Sequence, residues 1–248
     1  MNVGTGILIV AYAVLVAGVG VWLADYARPT LRAQSVVRIL AWAAAALAAG
    51  YLLAEAVLER RPLFLTISDF LAAAVVGMLA VAPIAGRGKG ALVASLALAL
   101  AALTHVLGAR PDAPPTVDQH TLLYVAQASL HALGMGGCVA ALLGRLGAAP
   151  IQQARRQADN LGVALMGTGF VLASAWAWLN SGVVWRSDPR LNLMASGWLC
   201  IVAGRLLRPA DAQRNSAWDV LGLALMLVGV FGAEWIATGW PGLPFVAW

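Results

Sequence analysis

The sequence predicts an all-α, polytopic membrane helical bundle of about eight transmembrane helices, and three observations lead there. Of its 248 residues 61% are hydrophobic and only 11% are charged, whereas soluble domains carry roughly a quarter charged. Eight apolar runs occupy most of the chain, and at about 20 residues each can cross hydrocarbon roughly 30 Å thick as a helix. The intervening segments are short and hold most of the charge and proline. A soluble globule, a disordered chain, a disulfide scaffold and a nucleic-acid module are all excluded by this composition, because the net charge of +5 is spread over short loops and forms no basic stripe.

The first span, 4–26, follows no basic segment and is longer than a signal-peptide core, so it is expected to be retained. Spans follow at 37–58, 66–86, 90–108, 121–144, 161–179, 191–208 and 217–239. Turn residues separate them: Arg28-Pro29, Arg61-Pro62, Arg87 to Gly90, Arg110-Pro111 to Pro115, Pro150 to Asn160, Asp188-Pro189 and Arg208-Pro209. No loop is long enough for a second domain, so residues 1–248 form one integral membrane unit. Cys138 and Cys200 lie inside apolar runs and read as small buried side chains, not as a disulfide or metal pair.

Alternate loops hold 11 and 5 of the lysines and arginines, and positive loops stay cytoplasmic. Both termini, together with the loop carrying Trp185 and Asp188, are therefore expected on the outer face. Six of the ten tryptophans, Trp176, Trp178, Trp185, Trp235, Trp240 and Trp248, fall on that side. Aromatic belts normally mark both interfaces, so this one-sidedness asks for a further cause.

The polar residues inside the spans are few. His120, Tyr124, Gln127 and His131 recur at i, i+4, i+7 and i+11 and share one helical face. Such a stripe either lines a ligand or bonds to neighbouring helices; for Gln127 and His131 alone, interhelical bonding is the simpler reading. His120 and His131 stand about 16 Å apart along a helix axis, too far to ligate one iron from both sides. His105 ends the fourth span near His120, which makes these two the best bis-histidine pair, although interfacial histidines are ordinarily just solvated. Asp69 and Glu234 are the notable carboxylates, each able to pair with Arg186, Arg190 or a histidine, or to reach headgroup water. Arg205 is explained by snorkelling. Glycines 134, 136, 137, 162, 167 and 169 provide small faces for close helix approach. No nucleophile and base pair suggests hydrolysis or group transfer, so no independent catalytic activity is expected.

The segment Trp176-Ala177, Gly182, Trp185-Arg186-Ser187-Asp188-Pro189-Arg190 and Trp198 resembles, without a gap, the tryptophan-rich WWD segment of the cytochrome c assembly protein family, of CcsA, CcmC and HemX-like type. Arg61-Pro62-Leu63 to Asp69-Phe70 is similar to the family's short outer segment before the third span, and the likeness extends along nearly the whole chain. The resemblance implies a multi-pass protein of the bacterial inner membrane that binds or guides haem b at its outer face for cytochrome c-type biogenesis, with apocytochrome c and other membrane subunits as partners. It implies that Trp176, Trp185, Asp188 and Trp198 make a platform, with indole faces for the porphyrin and indole N–H groups for propionates, and that Asp188 and Arg190 fix the loop or meet propionates. Iron contact would come from His120, His105 or Tyr124. The sequence also departs from that pattern: Ser187 and Ser181 replace tryptophans, Leu191-Asn192 replaces an acidic and threonine pair, and Tyr124 and Pro244 fall where the family has histidines. These departures motivate an alternative, a haem-free structural or assembly subunit of a respiratory or photosynthetic membrane complex that keeps the fold.

Overall fold

The computed structural model describes residues 3–27, 31–58, 60, 67–81, 121–146, 152–185, 188–207 and 217–232. These form seven helices: α1 Val3–Ala27, α2 Leu31–Val57, α3 Ile67–Val81, α4 Leu122–Leu146, α5 Gln152–Ser181, α6 Pro189–Leu206 and α7 Ala217–Leu227, with α7 continuing into a π-turn at Val228–Gly232. Among the described residues there is no strand. Alanine and leucine dominate these stretches, and a helix satisfies every interior backbone group without water, the condition hydrocarbon imposes.

Four helices are long and apolar enough to cross a membrane, over Val3–Val21, Ser35–Val57, Leu122–Leu142 and Asn160–Ser181. Asp69–Ala80 and Ala217–Val230 are shorter apolar helices. The span expected at 90–108 lies outside the described residues, as do His105, His120, Arg186, Ser187, Glu234, Trp235, Trp240 and Trp248. Two helices run past the apolar runs expected from sequence. α2 starts at Leu31, before the run at 37, and α5 starts at Gln152, before the run at 161. Hydropathy marks where a chain is apolar, whereas Gln, Arg and Ala are good helix formers and carry the helix onward into polar sequence.

Helices α1 to α5 pack in chain order, each against the next, while α6 and α7 form a second close pair that touches the rest through α5 and α4. Contacts between α4 and α5 step in opposite directions: Thr121 meets Trp176, His131 meets Gly169, and Cys138 meets Gly162. The two helices are therefore antiparallel. The core runs through the bundle from Leu8 and Leu15, across Ala41, Ala44, Ala45 and Ala48 of α2, to Met78, Met135, Met166 and Met226. The four α2 alanines repeat at i, i+3, i+4 and i+7, one stripe of a helix. Close approach is needed at Gly136 of α4, where a Cβ would strike the Ala74 carbonyl of α3 and lie 2.7 Å from the Met78 amide. Gly197 and Gly222 make the same contact between α6 and α7. Outward positions on α1 and α2 are also apolar, Val10, Val16, Ile39, Trp42 and Leu53 among them, as suits helices facing lipid. Cys138 and Cys200 are both free.

Candidate functional site

The site is built where α4, α5 and the α5–α6 connection meet. Thr121 caps α4: its hydroxyl accepts from the Tyr124 amide at 3.2 Å, holding an N–H that has no intrahelical partner. The same hydroxyl accepts from Trp176 Nε1 of α5 at 3.1 Å. One oxygen thus ties the start of α4 to the far end of α5. Trp176 and Tyr124 are both buried, their rings 5.7 Å apart and tilted by 51°.

Helix α5 ends where Gly182 takes φ +69, the left-handed conformation that glycine adopts without a Cβ penalty, and its amide closes the last turn onto the Trp178 carbonyl at 2.9 Å. Asp188 starts α6. Its side chain accepts from the Arg190 amide at 2.7 Å, and Pro189 occupies a first-turn position where a missing N–H does no harm. Between these two signals the connection carries Trp185 back toward α5. The Trp185 ring lies 6.2 Å from Phe170, and its Nε1 donates to Asn192 Oδ1 of α6 at 2.8 Å.

Phe170 is the hub. Besides Trp185 it meets His131 of α4 at 4.4 Å and Trp198 of α6 at 5.7 Å between ring centroids. Trp198 donates to the Val163 carbonyl of α5 at 3.0 Å and lies against Gly167, where a Cβ would come 3.1 Å from its Cζ2. Large rings from α4, α5, α6 and the α5–α6 connection thus meet around Phe170. Tyr124 near the start of α4, Trp176 near the end of α5, and Asp188 and Arg190 at the start of α6 lie at that same end of the bundle.

The structure therefore brings together six residues singled out from sequence: Tyr124, Trp176, Trp185, Asp188, Arg190 and Trp198. Indole N–H groups were expected to be left for propionates, whereas those of Trp176, Trp185 and Trp198 bond to Thr121, Asn192 and Val163. A buried N–H must find a partner, and helix ends and side-chain carbonyls stood closer. Of the three, Trp185 is the most open, 39% exposed.

Asp69 also differs from the expected interfacial carboxylate. It is fully buried and accepts from the Tyr51 hydroxyl of α2 at 3.1 Å, a partner the sequence did not suggest. Sequence reasoning passed over Tyr51, Thr121, Glu55 and Phe170. Thr121 had a signal, a hydroxyl residue directly before an apolar run. Glu55, buried in α2, had one too, a carboxylate within a span. Phe170 had none, being one apolar residue among many. Among the described residues no group of three or more His, Cys, Asp or Glu side chains is placed to hold a metal ion. Set against family models, curated proteins and solved structures, the chain matches none.

Proposed function

We propose that this chain is a multi-pass protein of the bacterial cytoplasmic membrane that binds or guides haem at its outer face for cytochrome c assembly. The observation that supports this reading is the file of rings running inward from the half-exposed Trp185 through Phe170 to His131, flanked by Trp198. A porphyrin presents a flat apolar body and two carboxylates. Aromatic faces suit the body, and a guanidinium suits a carboxylate, which gives Trp185 the ring contact and Arg190 the charge. The fit is to the macrocycle's body, because the three indole N–H groups already have partners within the protein. Haem is cargo in this reading, and its iron contact falls to His105 or His120. Tyr124, buried against Trp176 with the rings tilted by 51°, is the third candidate for iron contact. Asp188, as the cap of α6, holds Arg190 and the Trp185 connection in register.

Expression with ample haem, followed by purification and a visible spectrum, tests the proposal. A Soret band that weakens severalfold in Trp185→Ala and loses its low-spin character in His120→Ala or His105→Ala is the expected result. A colourless protein would overturn it.

A second reading has its own support. Every polar atom just described on Trp176, Trp185, Trp198 and Asp188 serves helix capping or helix contact. Packing alone accounts for these residues in a haem-free subunit of a respiratory or photosynthetic complex. Stoichiometric membrane partners copurifying with colourless protein would establish that reading in place of the first.

A further inference from the structure

Two polar atoms on the inward face of α4 have no hydrogen-bond partner. They are Gln127 Oε1 and His131 Nε2, on side chains each only 5% exposed. Both residues lie within the apolar segment Leu122–Leu142, where an unmet polar atom has no headgroup or bulk water to turn to. One such atom is an ordinary imperfection. Two on adjacent turns of one face point to something they share.

Their spacing is informative. Residues four apart on a helix have Cβ atoms about 5–6 Å apart, a gap that one oxygen bridges when it bonds to both side chains. Gly169, the nearest residue of α5, does not stand in the needed direction. A Cβ built on Gly169 would lie 2.6 Å from His131 Cδ2, 2.9 Å from Nε2 and 3.2 Å from Cγ. Being nearest Cδ2 and not much farther from its two ring neighbours, that point sits over the face of the imidazole. Gly169 therefore covers a ring face and does not itself block the in-plane direction in which an Nε2–H would point. Phe170, with its centroid 4.4 Å from that of His131, adds an aromatic wall beside the pair.

We propose that Gln127 and His131 together hold a hydroxyl oxygen, supplied either by a water molecule or by the phenolic hydroxyl of a membrane-soluble quinol. The chemistry is common to both sources. A hydroxyl donates to Gln127 Oε1 and accepts from the protonated Nε2 of neutral His131, meeting both atoms with one group. Neither haem nor the tryptophan platform enters this argument, so a negative haem spectrum leaves it standing.

A double-substitution cycle on the full chain in lipid nanodiscs tests it, using Gln127→Leu, His131→Phe and the pair, read by thermal unfolding. A shared oxygen is lost with either side chain, so each single change lowers Tm and the double change is no worse than the worse single. If the two atoms hold nothing in common, the effects add, and removing each unmet atom leaves Tm unchanged or raises it; additivity of either sign overturns the proposal. Should a variant fail to fold, the 15N resonance of His131 Nε2 in otherwise native protein, assigned with His105→Gln and His120→Gln, decides instead. A hydrogen-bonded shift is expected and a bare imidazole shift overturns it. Decylubiquinol separates the sources: a saturable rise in Tm for wild type, absent in the double variant, identifies the quinol, and a non-additive cycle with no rise identifies water.

Discussion

Asp69 and Tyr51 illustrate what a single hydrogen bond decides inside an apolar bundle. The carboxyl is fully buried and the tyrosine, 1% exposed, donates to it from the neighbouring helix. Removing the hydroxyl in Tyr51→Phe leaves a buried acceptor with one partner fewer, a loss of about 1–3 kcal/mol by the usual desolvation penalty. Thermal unfolding in detergent should show that drop, and Asp69→Leu combined with Tyr51→Phe should recover much of it, because both ends of the bond are then gone. An unchanged Tm in Tyr51→Phe would mean that the carboxyl is held by other groups. Asp188 gives a second case. Loss of a capping side chain ordinarily costs about 0.5–2 kcal/mol, so Asp188→Ala should destabilise by that amount while Asp188→Asn, which still accepts from the Arg190 amide, stays near wild type. The identity of these residues was legible in the sequence, since an acidic residue before proline and an acidic residue within a span both stand out. Their partners were not, because Tyr51 and Asn192 are brought to Asp69 and Trp185 by helix packing and chain reversal, which no local spacing records.

Between helices the decisive quantity is how near two backbones come. The contact of α3 with α4 is made at Gly136, where a Cβ would meet the Ala74 carbonyl and the Met78 amide, atoms fixed in a neighbouring helix. Gly136→Ala must push the helices apart, and overpacking of this kind costs about 1–3 kcal/mol. Gly6 on α1 supplies the contrast. A Cβ there has nothing within 4 Å, and alanine is the better helix former by about 1 kcal/mol, so Gly6→Ala should be neutral or stabilising. Unfolding of the two variants side by side checks the pair, and equal effects would show that the α3–α4 contact is looser than described. Glycine spacing on α4 and α5 announced the close approach from sequence. Other features of the elements escaped that view. The polar start of α5 is helical although it has no apolar pattern, and α7 widens into a π-turn at Val228–Gly232 where Gly229 meets the Arg190 carbonyl at 3.2 Å from its Cβ position. The wider turn brings Gly229 and Val230 both to buried positions, a choice made by the α6 surface it packs on and not by VGVFG itself.

At the scale of the whole molecule, the haem proposal depends on which side of a membrane the aromatic assembly would face. The described residues form seven helices, with four segments able to cross a membrane by length and composition, but direction is predicted from charge. The loops grouped with Arg155 and Arg156 hold 11 lysines and arginines against 5 for those grouped with Arg186 and Arg190, and the richer set is retained in the cytoplasm. That count predicts Trp185 and the start of α6 on the outer side, the face the haem proposal requires. The prediction is open to a direct measurement. In a background of Cys138→Ala and Cys200→Ala, Val184→Cys, at a position 61% exposed, should react in intact cells with a membrane-impermeant maleimide. Gln153→Cys should react only after the membrane is opened. The reverse pattern would turn the Trp185, Phe170 and Trp198 assembly toward the cytoplasm, and the haem proposal would then lose the face on which its acceptor lies. It would leave the haem-free subunit as the reading consistent with both packing and orientation, since capping and helix contact work equally well on either side.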